Sequence, residues 1–378
     1  MKTAKCVFLT FCVLILSVVL VGCGVQSKGV TSAKIYLQQR PADYDKAIEV
    51  LNKELEANPN DAEAHFLLGK IYADQNMYEQ MLTHLRKADE LNAKNKGAIK
   101  EIIEKKWIEV YNDGTTKGNS TDLDTLRMSL ERLELAILLD PTRYEAWSNA
   151  AAVSINLGDY KKALDLYEKA HQLKPDNMGI LNGLASAYLN NQMHKEALDI
   201  YEKILAQDPK NINALLNIST IYDRMQEFEK ALTNYNRIIE ADPEYRDAYY
   251  NRGILYLNKA HAFNDSLSLV RDELEKSPED KNLLERSKSL IERQKEMFLK
   301  AGADFKKTVE LDPTDNQARY LLGYCYLNQN ELDPAMSTLE EVVKANPDHK
   351  EAWYYLSLIY TRKGMKEKAL DAAKKAKE

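Results

Sequence analysis

The 378-residue sequence is poor in cysteine, and the few cysteines it has do not suit a structural cross-link. They are Cys6, Cys12, Cys23 and Cys325. Their number is too small for a disulfide framework in so long a chain, and their spacing does not match a zinc site. Cys325 lies in the apolar stretch YLLGYCYLN, which predicts a buried structural thiol rather than a reactive one.

Glycine and proline are also scarce, and no excess of positive charge is present. With 14 glycines and 10 prolines the composition favours a helical protein with few long loops. The net charge of −6 argues against nucleic acid as a partner, because phosphate binding requires an excess of Lys and Arg. The sequence also lacks an HExxH pair, a GxSxG elbow and a glycine-rich phosphate loop. It therefore predicts a protein that is not an enzyme and that uses no metal, cofactor or small-molecule substrate.

The first residues have the pattern of an export signal. Lys2 and Lys5 precede a run from Cys6 to Cys23 that carries no charge. The apolar core is about 16 residues long, shorter than the ~20 that a membrane-spanning helix needs. A basic head followed by a short apolar core predicts a signal peptide over residues 1–22.

The end of this segment, LVGC, resembles the lipobox of bacterial lipoproteins. The resemblance implies cleavage before Cys23 and attachment of lipid to its sulfur. It places the protein in the bacterial cell envelope, and Gly24, where an Asp would favour the inner membrane, favours the outer membrane facing the periplasm. Residues 23–33 are expected to form a lipidated tether, whose ~10 residues after the cysteine span at most ~35 Å.

The rest of the chain repeats with a period of 34 residues. The recurring residues are prolines, alanines and tyrosines: Pro141, Pro175, Pro209 and Pro243; Ala163, Ala197 and Ala231; Tyr188, Tyr222 and Tyr256. The period resumes nearer the C-terminus, with Pro313 and Pro347. A fixed period of this length predicts a stacked array of one supersecondary unit.

Each unit is predicted to be two helices joined by a turn. In residues 143–177 two apolar stretches of helical spacing flank Gly158, which suits a helix C-cap, and Pro175 ends the second helix. The eighth residue of every clear unit is small: Gly69, Ala151, Ala185, Ser219, Gly253, Gly323 and Ser357. We expect this column to face the alanine column of the second helix, where the two helices cross closely.

The pattern resembles the tetratricopeptide repeat over nearly all of residues 31–378, and we expect the solenoid domain to span residues 34–378. The resemblance implies an all-α, superhelical solenoid of about eight or nine helical hairpins. The clear units begin near Ala62, Tyr144, Met178, Ile212, Arg246, Asn316 and Lys350. An edge unit over residues 31–59 has an irregular first helix.

Two segments depart from the period. Residues 96–141 form an irregular unit, in which we expect the polar stretch YNDGTTKGNSTD to be a loop between lengthened helices. Residues 246–311 are interpreted as one hairpin whose helices are each extended by ~18 residues, or ~27 Å. Its insertion, residues 264–300, would project as an arm, with Ser277 capping the second helix. The alternative is a degenerate extra repeat within the stack.

The resemblance implies a concave groove, lined by the first helices, that holds an extended peptide or a partner's helix. The sixth position of a unit lines this groove, and in three units it is an asparagine: Asn149, Asn217 and Asn251. Their amides could form a ladder that grips a peptide backbone, although Gly183 interrupts the series. The alternative is that these asparagines are merely solvated.

Four tyrosines also fall on groove positions: Tyr250, Tyr320, Tyr324 and Tyr354. They predict either a binding patch or packing between neighbouring helices. The whole sequence predicts a lipid-anchored scaffold with protein or peptide partners, acting as an assembly factor for an envelope complex. The alternatives are an adaptor that presents substrates to an envelope peptidase or cell-wall enzyme, and a peptidoglycan- or carbohydrate-binding module.

Overall fold

The computed structural model describes residues 26–377, and this part of the chain is all α-helical, without a strand. The predicted signal peptide and Cys23 lie outside the described residues. The chain divides into two compact units, residues 26–183 and residues 184–377. Each unit consists of consecutive helical hairpins, as predicted.

Eighteen α-helices follow one another along the described chain. The first unit holds α1 Lys28–Leu37, α2 Tyr44–Ala57, α3 Ala62–Asp74, α4 Tyr78–Leu91, α5 Lys96–Lys117, α6 Leu123–Leu139, α7 Tyr144–Asn156 and α8 Tyr160–Leu173. The division between the units falls within α9 Met178–Asn190. The second unit continues with α10 His194–Gln207, α11 Ile212–Arg224, α12 Phe228–Ala241, α13 Arg246–Lys276, α14 Lys281–Leu311, α15 Asn316–Asn328, α16 Leu332–Ala345, α17 Lys350–Arg362 and α18 Lys366–Lys375. The first helices of all seven clear units begin at the predicted residues.

The turn inside each short hairpin is made by one residue in the left-handed conformation. Six described residues have a positive φ, and all six stand at the fifteenth position of a unit: Asn76, Gly158, Gln192, Gln226, Asn330 and Gly364. The backbone N–H that follows each of them donates to a carbonyl five residues earlier, as Asp159 does to Ser154 at 2.9 Å. This pairing satisfies carbonyls at the end of the first helix, so the predicted capping role of Gly158 is confirmed.

Small residues at the eighth position allow the two helices of a hairpin to approach closely. A Cβ added at Gly69 would lie 2.5 Å from Leu85, and one added at Gly323 would lie 2.7 Å from Leu339. In both hairpins the large partner stands 16 residues after the glycine. The nearest atoms to Gly323 belong to Leu339, one turn after Ala335 of the alanine column, and contact between the two small-residue columns stays a prediction.

The irregular unit is a hairpin of two lengthened helices. α5 has 22 residues and α6 has 17. The expected loop was wrong for its first part, because YNDGTTK is the last two turns of α5 and only residues 118–122 connect the helices. The contacts of Gly114 explain why this stretch is helical. The Gly114 carbonyl accepts a hydrogen bond from the Ser129 hydroxyl at 2.7 Å, and Leu133 packs against the Gly114 Cα.

The N-terminal hairpin begins earlier than predicted. α1 starts at Lys28, and Val30 and Ala33 are fully buried against α2 and α3. Residues 28–33 therefore belong to the folded array, and the predicted tether of residues 23–33 is too long by these six residues. The apolar pattern did not locate the start of this first helix, because only two of its ten residues are buried.

The predicted arm is confirmed as one long hairpin rather than an extra repeat. α13 and α14 each have 31 residues and pack against each other. Between residues 261 and 296 only Leu267 and Val270 are buried, so the outer part of the hairpin is solvated on its other sides. The predicted cap was wrong: Ser277 ends α13, whereas the Asp280 side chain accepts from the first backbone N–H groups of α14.

Cys325 is fully buried between α14 and α15, as the sequence predicted. Burial raises the pKa of its thiol to about 12. The thiolate is therefore scarce at neutral pH, and the side chain acts as a small apolar group.

The close approach at Gly323 gives a stability prediction. We expect Gly323→Ala to lower the free energy of unfolding by about 1–3 kcal/mol, because Leu339 must move away from the new methyl group. The double variant Gly323→Ala, Leu339→Ala should lose less unfolding free energy than the two single variants together, because the new methyl group occupies part of the space that Leu339 vacates. Urea unfolding of the three variants measures this.

The matched control is Gly97→Ala in the first turn of α5, where an added Cβ would meet nothing within 4 Å. This substitution should be neutral or stabilising by up to about 1 kcal/mol, because alanine favours the helix. Strictly additive losses at Gly323 and Leu339 would show that the two side chains do not share this space.

Candidate functional site

Three of the four predicted groove tyrosines lie together on α15 and α17. Their common neighbour is Tyr355, which the sequence interpretation missed. Its ring centroid is 5.1 Å from that of Tyr324, 5.3 Å from Tyr354 and 6.2 Å from Tyr320. We call Tyr320, Tyr324, Tyr354 and Tyr355 the tyrosine cluster. Tyr355 stands at the sixth position of its unit, which is occupied by asparagine in three other units.

The cluster extends to the inner part of the arm. His261 of α13 lies with its Nε2 3.2 Å from the Tyr324 hydroxyl, and Phe298 of α14 packs edge-on against the Tyr324 ring at 5.9 Å. At the other end, His349 lies 4.6 Å from the Tyr320 ring. These contacts connect the first helices of three successive units, α13, α15 and α17, through side chains.

The tyrosines differ in exposure, and this bears on the two alternatives left open by the sequence. Tyr320, Tyr324 and Tyr355 are half-buried, whereas the side chain of Tyr354 is 51% exposed. The half-buried rings pack between neighbouring helices and support the exposed one. The packing alternative therefore describes the inner rings, and a free aromatic face remains at Tyr354.

Burial raises the pKa of Tyr320, Tyr324 and Tyr355 above the ordinary value of a phenol. All three hydroxyls stay protonated at neutral pH because their normal pKa is already near 10. Each can donate a hydrogen bond as well as accept one. The cluster thus combines apolar rings with uncharged donors.

Tyr250, the fourth predicted residue, is held within its own hairpin. Its ring lies 6.0 Å from Phe305 in an edge-on arrangement, and the guanidinium of Arg246 stands 5.6 Å from its centroid. None of its ring contacts is to the tyrosine cluster.

The three predicted asparagines differ in what their amides bind. The Asn149 amide donates to the Glu145 carbonyl at 2.8 Å and to the Tyr111 hydroxyl at 3.0 Å. The Asn217 amide donates to the carbonyl four residues before it at 2.9 Å, whereas Asn251 makes no side-chain hydrogen bond within residues 26–377. Asn149 lies in the first unit and the other two lie in the second. A peptide-gripping ladder stays a prediction.

The interruption of the asparagine series has a steric reason. A Cβ at Gly183 would lie 2.2 Å from the ring of Tyr167, which packs directly on the backbone of α9. An asparagine cannot occupy this position without displacing that ring.

A buried ion pair fixes the inner part of the arm. The Arg252 guanidinium of α13 donates to both carboxylate oxygens of Asp304 in α14, at 2.6 and 2.8 Å, and to Asn236 in α12 at 2.6 Å. Asp304 is only 4% exposed. The pair ties both arm helices to the preceding hairpin, which gives the residues at the start of the arm defined positions.

We expect Asp304→Asn to lower the free energy of unfolding by about 3 kcal/mol, because it leaves the largely buried Arg252 without a counter-ion. The control is Asp265→Asn on the solvated part of the arm, which should change stability by less than about 0.5 kcal/mol. Chemical unfolding of both variants tests this. Equal effects would mean that the ion pair does not hold the arm in place.

Within residues 26–377, no three His, Cys, Asp or Glu side chains are arranged to hold a metal ion. Nor does any helix of this part combine the length and apolarity needed to cross a membrane.

Models of the tetratricopeptide repeat match residues 62–95, 144–177, 191–253 and 293–359, and a model described as a TPR repeat matches residues 43–76. The chain therefore belongs to the tetratricopeptide repeat family. This membership supports a role as a protein-interaction scaffold. Comparison with curated proteins found no match.

Several solved structures are similar to this chain. YrrB, described as a TPR protein with an unusual peptide-binding site, is 20% identical over 60% of this chain and 98% of its own, with a TM-score of 0.43. A MamA protein is 17% identical over 55% and 94%, with a TM-score of 0.42. A tetratricopeptide repeat protein from Parabacteroides merdae is 20% identical over 68% and 99%, with a TM-score of 0.39.

Proposed function

We propose that the tyrosine cluster binds a peptide segment of a protein partner, and that the protein is a non-catalytic scaffold. The observation that carries this proposal is the exposed ring of Tyr354 supported by three half-buried tyrosines on neighbouring first helices. Such rings give a large contact area at a small cost in conformational entropy. The hydroxyl of the exposed Tyr354 can pair with the backbone of an extended peptide.

We further propose that Cys23 carries lipid and holds the scaffold at a membrane of the bacterial envelope, the outer membrane facing the periplasm. The proposal rests on the basic head, the short apolar core and the LVGC motif. Only four residues separate Cys23 from Lys28, where α1 begins. Fully extended, they span at most ~14 Å, so the first hairpin would lie next to the bilayer surface.

A membrane-attached scaffold with a peptide-binding face suits an assembly factor for an envelope complex. The adaptor alternative has one observation in its favour, because the arm offers a surface separate from the tyrosine cluster on which a second protein could be held. An assembly factor would bind one oligomeric membrane protein in stoichiometric amount. An adaptor would bind an enzyme and its substrate together.

The peptide-binding proposal predicts the loss of a partner when the exposed ring is removed. We expect Tyr354→Ala combined with Tyr355→Ala to weaken capture of the main partner from crosslinked, detergent-solubilised cells by at least tenfold, because the rings supply the contact area. Quantitative mass spectrometry of the captured proteins measures this. The Asn149, Asn217 and Asn251 to Ala triple variant tests the ladder in the same experiment.

The matched control is Tyr160→Ala, which removes an exposed tyrosine on the second helix α8. It should retain the wild-type partner. If the tyrosine variant also retains every partner, the cluster serves packing alone and the proposal fails. Loss of the partner only in the triple variant would transfer recognition to the asparagines.

The anchoring proposal predicts that Cys23→Ala abolishes the incorporation of radiolabelled palmitate and leaves the unprocessed chain. The control is Cys325→Ala, which should incorporate label as the wild type does because its thiol is buried. Label that persists in Cys23→Ala would show that no lipid is attached there.

A further inference from the structure

We propose that the inner end of the arm forms a second binding site, for an acidic segment of a partner protein that carries a large apolar side chain. We call this site the arm-base notch. It lies between α12, α13 and α14 and is lined by Phe228, Leu232, Lys259, Phe263, Arg293 and Met297.

The notch exists because α13 does not turn where the other first helices do. Its fifteenth residue is Ala260, which is helical, whereas the fifteenth residues of the short hairpins have a positive φ. α13 therefore continues past the turn between α11 and α12. Phe263 of the extended part of α13, with Arg293 and Met297 of α14, forms a wall beside the first turn of α12. The short hairpins lack both extensions, so they cannot form this corner.

Two adjoining cavities make up the corner. One of about 450 Å³ lies against the arm and holds the notch residues. The other, of about 430 Å³, lies against the turn between α11 and α12 and includes Asp223 and Arg224. Phe228 and Lys259 line both. The space is large enough for one bulky side chain and its flanking backbone.

The apolar part of the lining is open to solvent. The rings of Phe228 and Tyr256 lie 6.0 Å apart, and Phe228, Leu232 and Phe263 are all half-buried. A ligand that removes water from apolar side chains in an open corner of this kind is stabilised by the burial of their surface. An aromatic or leucine side chain of the ligand would bury these side chains.

The charged residues that line the two cavities are four cations, Lys259, Arg293, Lys300 and Arg224, and three anions, Glu229, Glu296 and Asp223. The Lys259 ammonium stands over the rings of Phe228 at 5.2 Å and Phe263 at 5.7 Å and makes no ion pair in the described chain. Arg293 and Arg224 likewise have no ion pair within residues 26–377. Lys300 differs, because Glu296 pairs with it at 2.7 Å.

This arrangement selects the occupant. A carboxylate that approaches Lys259 and Arg293 would gain charge-assisted hydrogen bonds, while a neighbouring apolar side chain would fill the space between Phe228 and Phe263. A basic segment would find two acids there, Glu229 and Asp223, against the three cations without an ion pair, Lys259, Arg293 and Arg224. Charge complementarity thus favours acidic residues next to a large apolar residue.

The test uses the purified full chain and a fluorescein-labelled synthetic peptide of about twelve residues, a typical length for a recognised segment, in which Asp and Glu flank Phe and Leu. A second peptide has Asn and Gln in place of the acids. Fluorescence anisotropy should show at least tenfold tighter binding of the acidic peptide. The double variant Lys259→Glu, Arg293→Glu should lose at least tenfold in affinity for it. Phe263→Ala should also weaken binding.

The matched control is Arg271→Glu with Lys288→Glu, which reverses two exposed charges on the outer part of the arm. It should bind the acidic peptide within about twofold of the wild type. Tyr354→Ala with Tyr355→Ala should bind it equally well, so failure here is distinguishable from failure of the tyrosine cluster.

Three outcomes would overturn the proposal. Equal binding of the two peptides would remove the charge selection, and equal losses in both charge-reversal variants would show attraction to net charge alone. A dimer of this chain in sedimentation that dissociates in Lys259→Glu, Arg293→Glu would identify the occupant as a second copy.

Discussion

The close approach of two helices at a small residue is the constraint on which most of the hairpins depend. A glycine, alanine or serine at the eighth position leaves room for a large residue that stands 16 positions later, as Gly69 does for Leu85. In three neighbouring units the residues at that later position are Tyr167, Tyr201 and Tyr235, all buried, which accounts for part of the tyrosine surplus. Because each hairpin packs mainly on its neighbours, the stability of such an array is close to a sum over units. The pairing recurs in six of the seven clear units, whereas the last unit has the small Ala373 sixteen positions after Ser357.

The arm shows that the constraint survives an insertion. Gly253 still faces a large residue, Phe305, although 52 positions separate them instead of 16. The extra residues are shared so that α13 and α14 have equal lengths. Because α13 and α14 are equally long, the insertion does not shift the two helices along each other where they begin and end the unit. Arg252 and Asp304 therefore still lie opposite each other in the inner part of the hairpin. The arm is in this sense an addition to an ordinary unit.

The repeat, the helix starts and the arm could be predicted because they depend on residue type at a fixed period. The predictions that were wrong concern segments whose local structure depends on tertiary contacts. The stretch YNDGTT has the composition of a loop, yet it is helical because Gly114 lets Ser129 and Leu133 approach its backbone. α1 is too short for its apolar pattern to stand out. The tyrosine cluster was predicted in part, since the period places Tyr320, Tyr324 and Tyr354 on first helices. Its contact with His261 depends on how far α13 continues, which no periodic pattern encodes.

One turn of α13 connects the tyrosine cluster with the arm-base notch. Lys259 and Phe263 stand four residues apart and share a face of the helix, which lines the notch. His261, two residues from each, points about 200° away at 100° per residue and meets Tyr324. The two sites thus lie on opposite sides of one rigid helical turn, and the ion pair of Arg252 and Asp304 fixes its position. A segment bound on one side does not block the other. The proposed scaffold would need this geometry to hold two partners at a set separation, and the insertion supplies it without a second domain.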